Sequence, residues 1–176
     1  MTSNIKKIAV CGAAGTMGAG IAIVAARAGI ETICYDMTAE GLERARAQAS
    51  RFFAKSVERG KMTEEDRAAT LARMSDTTNR EDLADADMVI EAVFEDLQTK
   101  RDLFTALNKV CDQKTIFASN TSTLSITEIA SGCGREDRVV GLHFCLPAQM
   151  MKLVEASQGM NTAPEVFQAA WDWAVQ

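Results

Sequence analysis

The sequence is poor in the residues that build several common classes of site. It has a single histidine and five cysteines, none of them in a CxxC pair, so it lacks the clustered ligands of a structural zinc site. No apolar run reaches the roughly 18 residues of a membrane span, and MTSNIKK is too short a leader for a secretion signal. The net charge of -5 and the pI near 5.0 argue against a nucleic-acid partner, because phosphates select basic surfaces. These absences favour a cytoplasmic protein without disulfides, bound metal or membrane contact.

The chain instead shows an alternation of short apolar runs and helical stretches. Strands are predicted at 5–11, 32–35, 88–93, 115–118 and 139–143. Helices are predicted between them, including a long one from Thr38 to Gly60 and another that begins at Thr63. Strands separated by helices of crossover length form a parallel sheet with helices on both faces. The sequence therefore predicts an α/β fold with a doubly wound, mostly parallel, Rossmann-like sheet.

The segment GAAGTMG separates the first strand from the first helix and has the pattern of a phosphate-binding turn. Gly12 permits the tight turn, Gly15 lets backbone N–H groups approach a pyrophosphate, and Gly18 lets the helix pack on the sheet. The helix N-terminus, with Thr16 and Met17 in its first turn, stabilises the phosphate charge. The alternative is a glycine-rich turn that binds no ligand.

Asp36 ends the second strand, where an acid can accept hydrogen bonds from a ribose. A carboxylate at this position repels the 2′-phosphate of NADP, and no arginine follows it. The sequence therefore predicts NAD as the cofactor.

The only histidine, His143, precedes Glu155 by twelve positions. A chain reversal near Gln149 would bring the acid back beside it, and alternation in MKLVEA places Met151, Leu153 and Glu155 on one face of a strand. An acid on an apolar face needs a partner, which an imidazolium supplies. A histidine held by an acid has the chemistry of a general base. The alternative is a purely structural histidine.

The last helix is predicted to begin at Thr162-Ala-Pro-Glu165, which has the form of a capping box with proline in the first turn. Its apolar face has no partner segment in the sequence and consists of Val166, Phe167, Ala170, Trp171 and Ala174. We therefore expect residues 1–176 to be one nucleotide-binding domain that ends at the start of an absent second domain. In the alternative, this helix packs on the domain's own sheet.

Three later segments carry a family resemblance. DMVIEAVFEDLQTKRDLF, ASNTSTLSITEIA and GLHFCLPAQMMKLVEA, in this order, resemble the 3-hydroxyacyl-CoA dehydrogenase family, and the resemblance covers essentially the whole chain. It implies an N-terminal NAD-binding domain, followed in complete members by a helical domain that dimerises and closes the substrate cleft. It also implies the reversible, NAD-dependent oxidation of a 3-hydroxyacyl-CoA to a 3-oxoacyl-CoA.

The resemblance also implies roles for individual residues. They are the catalytic His143, Glu155 and Ser122, the cofactor contacts Asn120, Glu95 and Lys100, and the basic pair Lys55 and Arg59 for the CoA phosphates. The two basic residues are four positions apart, so one helix face presents both charges to an anionic tail. The alternative for this pair is a solvated helix face.

The sequence departs from the family in two places. Its glycine turn is one residue longer than the usual family turn, and its HFCLP segment replaces the family's HFFNP, with Cys145 for an aromatic residue and Leu146 for an asparagine. Two other functions therefore stay open: an NAD-dependent dehydrogenase for a hydroxy acid without CoA, and a non-catalytic NAD-binding protein. The joint presence of Ser122, His143 and Glu155 argues against the second, because a structural protein does not need all three.

Overall fold

One seven-stranded sheet organises residues 4–175, the part of the chain that this computed structural model describes. Its strands are β1 (Lys7–Cys11), β2 (Glu31–Tyr35), β3 (Met74–Thr77), β4 (Met88–Glu91), β5 (Ile116–Ser119), β6 (Val139–Phe144) and β7 (Val154–Gln158). Their order across the sheet is β3-β2-β1-β4-β5-β6-β7. The pairings from β3 to β6 are parallel, and the β6–β7 pairing is antiparallel. The predicted α/β sheet, doubly wound and mostly parallel, is confirmed.

Six α-helices in the described range cover the two faces of the sheet. They are α1 (Thr16–Arg27), α2 (Ala39–Glu58), α3 (Glu64–Ala72), α4 (Leu97–Leu107), α5 (Ile126–Ala130) and α6 (Pro164–Ala174), with 3-10 turns at Arg80–Leu83 and Glu136–Arg138. One core packs α1, α2 and α6 on one face, and a second core packs α4 and α5 on the other. No helix within residues 4–175 is long and apolar enough to cross a membrane.

Strand β3 is missing from the predicted set. Its sequence is MSDT, in which Met74 is buried while Ser75 and Asp76 are exposed. The strand lies at the edge of the sheet, where β2 pairs with it on one side. A polar edge strand has no apolar run, so hydrophobic patterning alone does not indicate it.

The helix starts agree with the sequence at Thr63 and disagree at Thr162. Thr63 forms a capping box with Asp66, whose N–H donates to the Thr63 hydroxyl at 3.0 Å. The capping box expected at Thr162 is wrong, because Ala163 is the N-cap of α6. The Thr162 hydroxyl instead donates to the Val139 carbonyl at 2.6 Å and accepts from the Gly159 N–H at 2.8 Å. Thr162 therefore ties the end of β7 to β6.

Helix α6 packs on the domain's own sheet, as in the alternative interpretation of its apolar face. Val166, Ala170 and Trp173 are buried, and the Trp173 ring meets Phe144 of β6 edge-on at 6.5 Å between centroids. The predicted face included Trp171, which is 46% exposed. The helix is therefore rotated from the predicted orientation, so that Trp173 fills the core in its place.

Candidate active site

A crevice of about 740 Å³ lies above the carboxyl ends of β1, β2 and β4. Because β1 pairs with β2 on one side and β4 on the other, this is the point where the chain order of the strands reverses, the usual ligand position in such sheets. Its walls come from the glycine turn, the ends of β2 and β4 and the start of α4: Gly12, Ala14, Gly15, Thr16, Met17, Tyr35, Asp36, Met37, Arg80, Ala92, Val93, Phe94, Thr99, Asp102 and Leu103.

The glycines of the turn are required by close backbone approaches. Gly12 has φ +83°, and a Cβ there would lie 2.6 Å from the Ala92 carbonyl oxygen of the neighbouring strand end. A Cβ on Gly18 would lie 2.2 Å from the Gly12 oxygen. Gly15 is the N-cap of α1, and its N–H donates to the Gly12 carbonyl at 3.0 Å. The turn thus packs tightly beneath the crevice and leaves the space above it open, as a dinucleotide requires.

The first turn of α1 offers free backbone donors to the crevice. The first intrahelical hydrogen bond runs from the Ala19 N–H to the Gly15 carbonyl at 2.9 Å. Thr16 and Met17 precede it, line the crevice, and have no acceptor for their N–H groups within residues 4–175. These donors and the positive end of the helix dipole suit a pyrophosphate.

Asp36 lies at the end of β2 and is held by two backbone donors. Its Oδ2 accepts from the Ala14 N–H at 3.0 Å and its Oδ1 from the Met37 N–H at 2.8 Å. Ala14 belongs to the glycine turn, which is one residue longer than usual. Its methyl group packs closely against α2, because a Cβ added to Gly41 would lie only 2.7 Å from it. The longer turn therefore fixes the carboxylate and leaves one lone pair on each oxygen for a ribose.

Arg80 is a crevice residue that the sequence analysis missed. It follows β3, which brings it to the same end of the crevice as Asp36 and Met37. Predicting this would have required recognition of β3, because the chain between Asp36 and Arg80 contains two helices. An arginine at this end of the crevice can contact the adenosine half of a dinucleotide.

His143 and Glu155 face each other across the β6–β7 pair. They are register partners, and His143 Nδ1 lies 2.7 Å from Glu155 Oε2. With the carboxylate as acceptor, Nδ1 carries the proton and Nε2 is the basic nitrogen. The predicted chain reversal and the predicted pair are both present. The strand begins only at Val154, however, so the expected strand positions of Met151 and Leu153 are wrong, and both lie in the loop 145–153.

Asn120 and Ser122 follow β5, which is the parallel neighbour of β6. They therefore lie beside His143, at the carboxyl ends of these two strands. Asn120 Oδ1 accepts from the Phe144 N–H at 2.8 Å and thereby fixes the end of the strand that carries His143. Its Nδ2 remains available as a donor. Ser122 is exposed, and its N–H donates to Glu95 Oε1 at 3.1 Å.

Lys100 and Glu95 are engaged within the protein. Lys100 is completely buried, and its Nζ donates to both oxygens of Glu91, at 2.8 and 2.9 Å, and lies 3.2 Å from Glu95 Oε2. The predicted cofactor contact through Lys100 stays a prediction, and its ammonium lies against three carboxylate oxygens, two of Glu91 and one of Glu95. Glu91 was missed in the sequence, where it looked like an ordinary member of the strand run MVIEAV.

The pKa values of Glu91 and Glu95 are shifted in opposite directions. Burial raises the pKa of Glu91, although the charge of Lys100 and the hydroxyl of Ser119 counteract it. Burial also opposes ionisation of Glu95, but there the hydrogen bond from Thr121 and the charge of Lys100 prevail and the pKa is lowered. Glu95 is therefore a firmly ionised acceptor at neutral pH.

Lys55 and Arg59 lie away from the crevice, in the last turn and at the C-cap of α2. Both are exposed, and neither side chain has a partner within residues 4–175. Arg51, also exposed, lies four residues earlier and extends the same helix face to three basic residues. No group of three or more metal-ligating side chains is found among the described residues.

Comparison with known proteins identifies the family. Residues 7–176 match the family described as 3-hydroxyacyl-CoA dehydrogenase, NAD binding domain. The chain belongs to this family. The cofactor of this 3-hydroxyacyl-CoA dehydrogenase family domain is therefore NAD, and the glycine cradle, the free N–H groups and Asp36 fit it.

The relatives with known functions are longer than this chain. It is 46% identical to the 3-hydroxyadipyl-CoA dehydrogenase of Escherichia coli over 168 residues, which are 96% of this chain and 35% of that protein. It is 42% identical to the 3-hydroxybutyryl-CoA dehydrogenase of Clostridioides difficile, over 94% of this chain and 59% of that protein. The chain thus spans between about a third and three fifths of these relatives.

Solved structures show the same domain. The 3-hydroxybutyryl-CoA dehydrogenase of Escherichia coli superimposes with a TM-score of 0.93 at 44% identity, over 98% of this chain and 37% of that one. A second structure is an NAD⁺-dependent 5-dehydrogenase of a formyl-hydroxy-methylpyridine carboxylic acid, a compound whose name contains no CoA. It superimposes with a TM-score of 0.84 at 31% identity, over 97% of this chain and 54% of that one.

Proposed function

We propose that this chain is the NAD-binding and proton-transferring part of a 3-hydroxyacyl-CoA dehydrogenase, which oxidises a 3-hydroxyacyl-CoA reversibly to a 3-oxoacyl-CoA. The observation that carries the proposal is the contact of 2.7 Å between His143 Nδ1 and Glu155 Oε2. This pair belongs to the same sheet that carries the NAD crevice above the carboxyl ends of its strands. An alcohol dehydrogenation needs a hydride acceptor and a base, and both halves are provided in one domain.

NAD, held in the crevice, would supply the acceptor for the hydride that leaves the substrate carbon. His143 Nε2 takes the hydroxyl proton, and Glu155 stabilises the imidazolium that results because its carboxylate already accepts from Nδ1. The Ser122 hydroxyl and the Asn120 amide would donate to the developing carbonyl oxygen and to the nicotinamide side of the site. In the reverse direction His143 returns the proton to the oxygen.

The cofactor contacts follow the shape of the crevice. Thr16 and Met17 would donate their backbone N–H groups to the pyrophosphate, above the cradle formed by Gly12, Gly15 and Gly18. Asp36 would accept from the adenosine ribose and disfavour a 2′-phosphate. Glu95 and Lys100, at the start of α4, would complete the cofactor contacts, and the Glu95 carboxylate also accepts from the Ser122 N–H.

For the CoA part of the substrate we propose Lys55 and Arg59. Both ammonium and guanidinium groups are exposed and unpaired on one face of α2, as contacts to solvent-facing phosphates require. For the whole protein we propose a cytoplasmic homodimer. The five free cysteines support a reducing compartment, and the greater length of the relatives leaves room for a dimerising helical domain.

A hydroxy acid without CoA is the second candidate substrate. Leu146, 59% exposed in the loop that follows His143, replaces an amide with an apolar group, and the relative that acts on a pyridine carboxylic acid shares the fold. The experiment compares acetoacetyl-CoA, acetoacetyl-pantetheine and acetoacetate as substrates of the complete translated protein with NADH.

Replacement of Lys55 and Arg59 with alanine should raise KM for acetoacetyl-CoA about tenfold, since two charge-assisted contacts to phosphate are lost, while KM for the pantetheine analogue stays unchanged. Arg44→Ala, on the same helix but already paired with Glu40, is the matched control. Equal changes for both thioesters would place the CoA phosphates elsewhere, and a preference for acetoacetate would favour the second candidate.

A further inference from the structure

Arg80 is the one cationic side chain among the described residues that line the crevice. Asp36 and Asp102 line it as well and carry negative charges. Arg80 begins the 3-10 turn that follows β3, so it reaches the crevice from a part of the chain that is remote from Asp36 in the sequence. No step of the proposed reaction uses Arg80.

The sheet brings Arg80 to the end of β2. Tyr35, the last residue of β2, is the register partner of Thr77, and the Asp36 N–H donates to the Thr77 carbonyl at 3.3 Å. The chain then turns at Asn79, which is the N-cap of the 3-10 turn. Arg80 therefore lies only three positions beyond the residue that binds the Asp36 backbone.

The guanidinium of Arg80 is not neutralised by the acids around it. Arg80 is exposed and has no hydrogen bond and no ion pair within residues 4–175. Each oxygen of Asp36 accepts a backbone N–H, and the oxygens of Asp82 accept from the Thr77 hydroxyl and the Asn79 amide. The positive charge of Arg80 therefore remains available to a ligand.

The charge of Arg80 also acts at the end of β1. Burial raises the pKa of the Cys11 thiol well above its ordinary value, and the charge of Glu91 adds to this effect. The positive charge of Arg80 opposes it. Because Gly12 of the glycine turn follows Cys11 directly, the guanidinium lies close enough to influence the strand end from which the turn begins.

Recognition of a 2′-phosphate requires a cation where the ribose of NAD meets an acid. The sequence has no arginine directly after Asp36, but the sheet supplies Arg80 from the end of β3. A guanidinium group suits a phosphate because it presents two parallel N–H donors. The acid and the cation of this crevice therefore favour opposite groups at the 2′ position of the adenosine ribose.

We propose that Arg80 is a second determinant of cofactor choice, a phosphate-binding cation that the Asp36 carboxylate prevents from selecting NADP. With Asp36 present, its negative charge and its ribose hydrogen bonds favour NAD. Without Asp36, the guanidinium recruits the 2′-phosphate and turns the preference to NADP. The inference rests on the proposed contact of Asp36 with the adenosine ribose, and it concerns only the adenosine end of the cofactor.

Titration of the 176-residue chain with NADH and NADPH tests this role. Asp36→Ala should raise the affinity for NADPH about tenfold or more, and Arg80→Gln added to that variant should remove most of the gain, because a charge-assisted contact to phosphate is lost. The affinity for NADH should differ by less than about threefold between these two variants. Arg27→Gln, which removes the same charge at the far end of α1, is the matched control and should leave both affinities unchanged.

Two adenosine ligands separate the 2′-phosphate from the rest of the cofactor. Adenosine 2′,5′-bisphosphate carries this group and adenosine 5′-monophosphate lacks it. In Asp36→Ala the bisphosphate should bind about tenfold or more tightly than the monophosphate, and the added Arg80→Gln should abolish the difference. A difference of the same size with and without Arg80 would overturn the inference.

Failure of the inference and failure of the ribose assignment give different results. If Asp36→Ala changes the ratio of the two affinities and the added Arg80→Gln has no effect on NADPH, the inference fails and the role of Asp36 stands. If Asp36→Ala leaves the ratio unchanged, the ribose assignment fails. In that case, or if Asp36→Ala does not fold, Arg80→Gln in the otherwise unchanged chain decides the role of Arg80, because it breaks no hydrogen bond of the fold. A greater loss of affinity for NADPH than for NADH supports the phosphate contact, and equal losses overturn it.

Discussion

At the scale of single residues, the pair of His143 and Glu155 shows how the register of two strands brings an acid to a histidine. The histidine is partly buried, with 29% of its side chain exposed, while the acid behind it is 65% exposed. The carboxylate of Glu155 is thus largely hydrated. It orients the imidazole and places one negative charge beside it. It holds the imidazole in the tautomer with a basic Nε2.

Substitution of this pair should affect turnover and leave cofactor binding unchanged. His143→Ala should lower kcat for the reduction of acetoacetyl-CoA by about two to four orders of magnitude, the usual scale of general acid–base catalysis. Glu155→Gln should cost less, because the amide oxygen still accepts from Nδ1 but the negative charge is lost. Steady-state kinetics and an NADH titration measure the two quantities. Full turnover by His143→Ala would make the histidine a structural residue.

Asp36 is the residue that should set the preference for NAD. Asp36→Ala removes the ribose acceptor and the charge that repels a 2′-phosphate, and should shift the relative affinity for NAD and NADP by about 1.5–3 kcal/mol, the magnitude of a hydrogen bond to a charged group. Fluorescence titration with NADH and NADPH measures the ratio. Met37→Ala, an exposed crevice neighbour that contributes its backbone N–H, is the control. An unchanged ratio would contradict the role of Asp36.

At the scale of elements, helix α1 is placed by two glycines with different neighbours. A Cβ on Gly18 would lie 2.2 Å from the backbone oxygen of Gly12, whereas a Cβ on Gly20 would lie 2.8 Å from the mobile end of Gln149 and 3.1 Å from the Ala148 Cβ. The first contact fixes the helix on the glycine turn. The second fixes the loop 145–153 on the helix, next to His143.

These neighbours predict unequal effects of alanine at the two positions. Alanine gains about 1 kcal/mol over glycine in a helix interior, but the backbone clash at Gly18 should cost more, about 1–3 kcal/mol net of that gain for an overpacked site. Gly18→Ala should therefore destabilise the domain and weaken NADH binding. Gly20→Ala should be milder, because a side-chain end can move. Urea unfolding and NADH titration of both variants decide this, and equal effects would contradict the argument.

At the scale of the whole molecule, the crevice, the glycine turn and the pair of His143 and Glu155 all lie within residues 4–175. The 176-residue chain should therefore bind NADH without further segments. At 100 times KD, NADH should stabilise the folded chain by about 2.7 kcal/mol. Thermal unfolding with and without NADH measures the shift, and NADPH is the control ligand.

The same chain should reduce acetoacetyl-CoA poorly. The region around His143 is open, with Leu146, Met150 and Leu153 of the following loop each at least half exposed. Water reaches an open site, and exclusion of water strengthens the electrostatic interactions of a hydride transfer. The two measurements are independent. If NADH gave no thermal shift, the assignment of residues 1–176 as an NAD-binding domain would be contradicted, even if some acetoacetyl-CoA were reduced.

The features that could be predicted from the sequence are those that depend on local patterning. The buried strands, the glycine turn and the hairpin partners His143 and Glu155 each follow from neighbouring residues or from a short reversal. Strand β3, the place of Arg80 and the buried ion pair could not be predicted in this way. They depend on which elements become neighbours, and a glutamate inside an apolar strand gives no sign of a lysine partner from the next helix.

The pairing of β6 with β7 makes the position of His143 opposite Glu155 independent of the loop that joins the two strands. Cross-strand pairing from Val140–Gln158 to Phe144–Val154 fixes which residues oppose each other, so Glu155 and His143 stay matched whatever the length of residues 145–153. A slip of one position would instead turn one of the two side chains to the opposite face. Insertions and deletions in this loop are therefore compatible with an intact pair of His143 and Glu155.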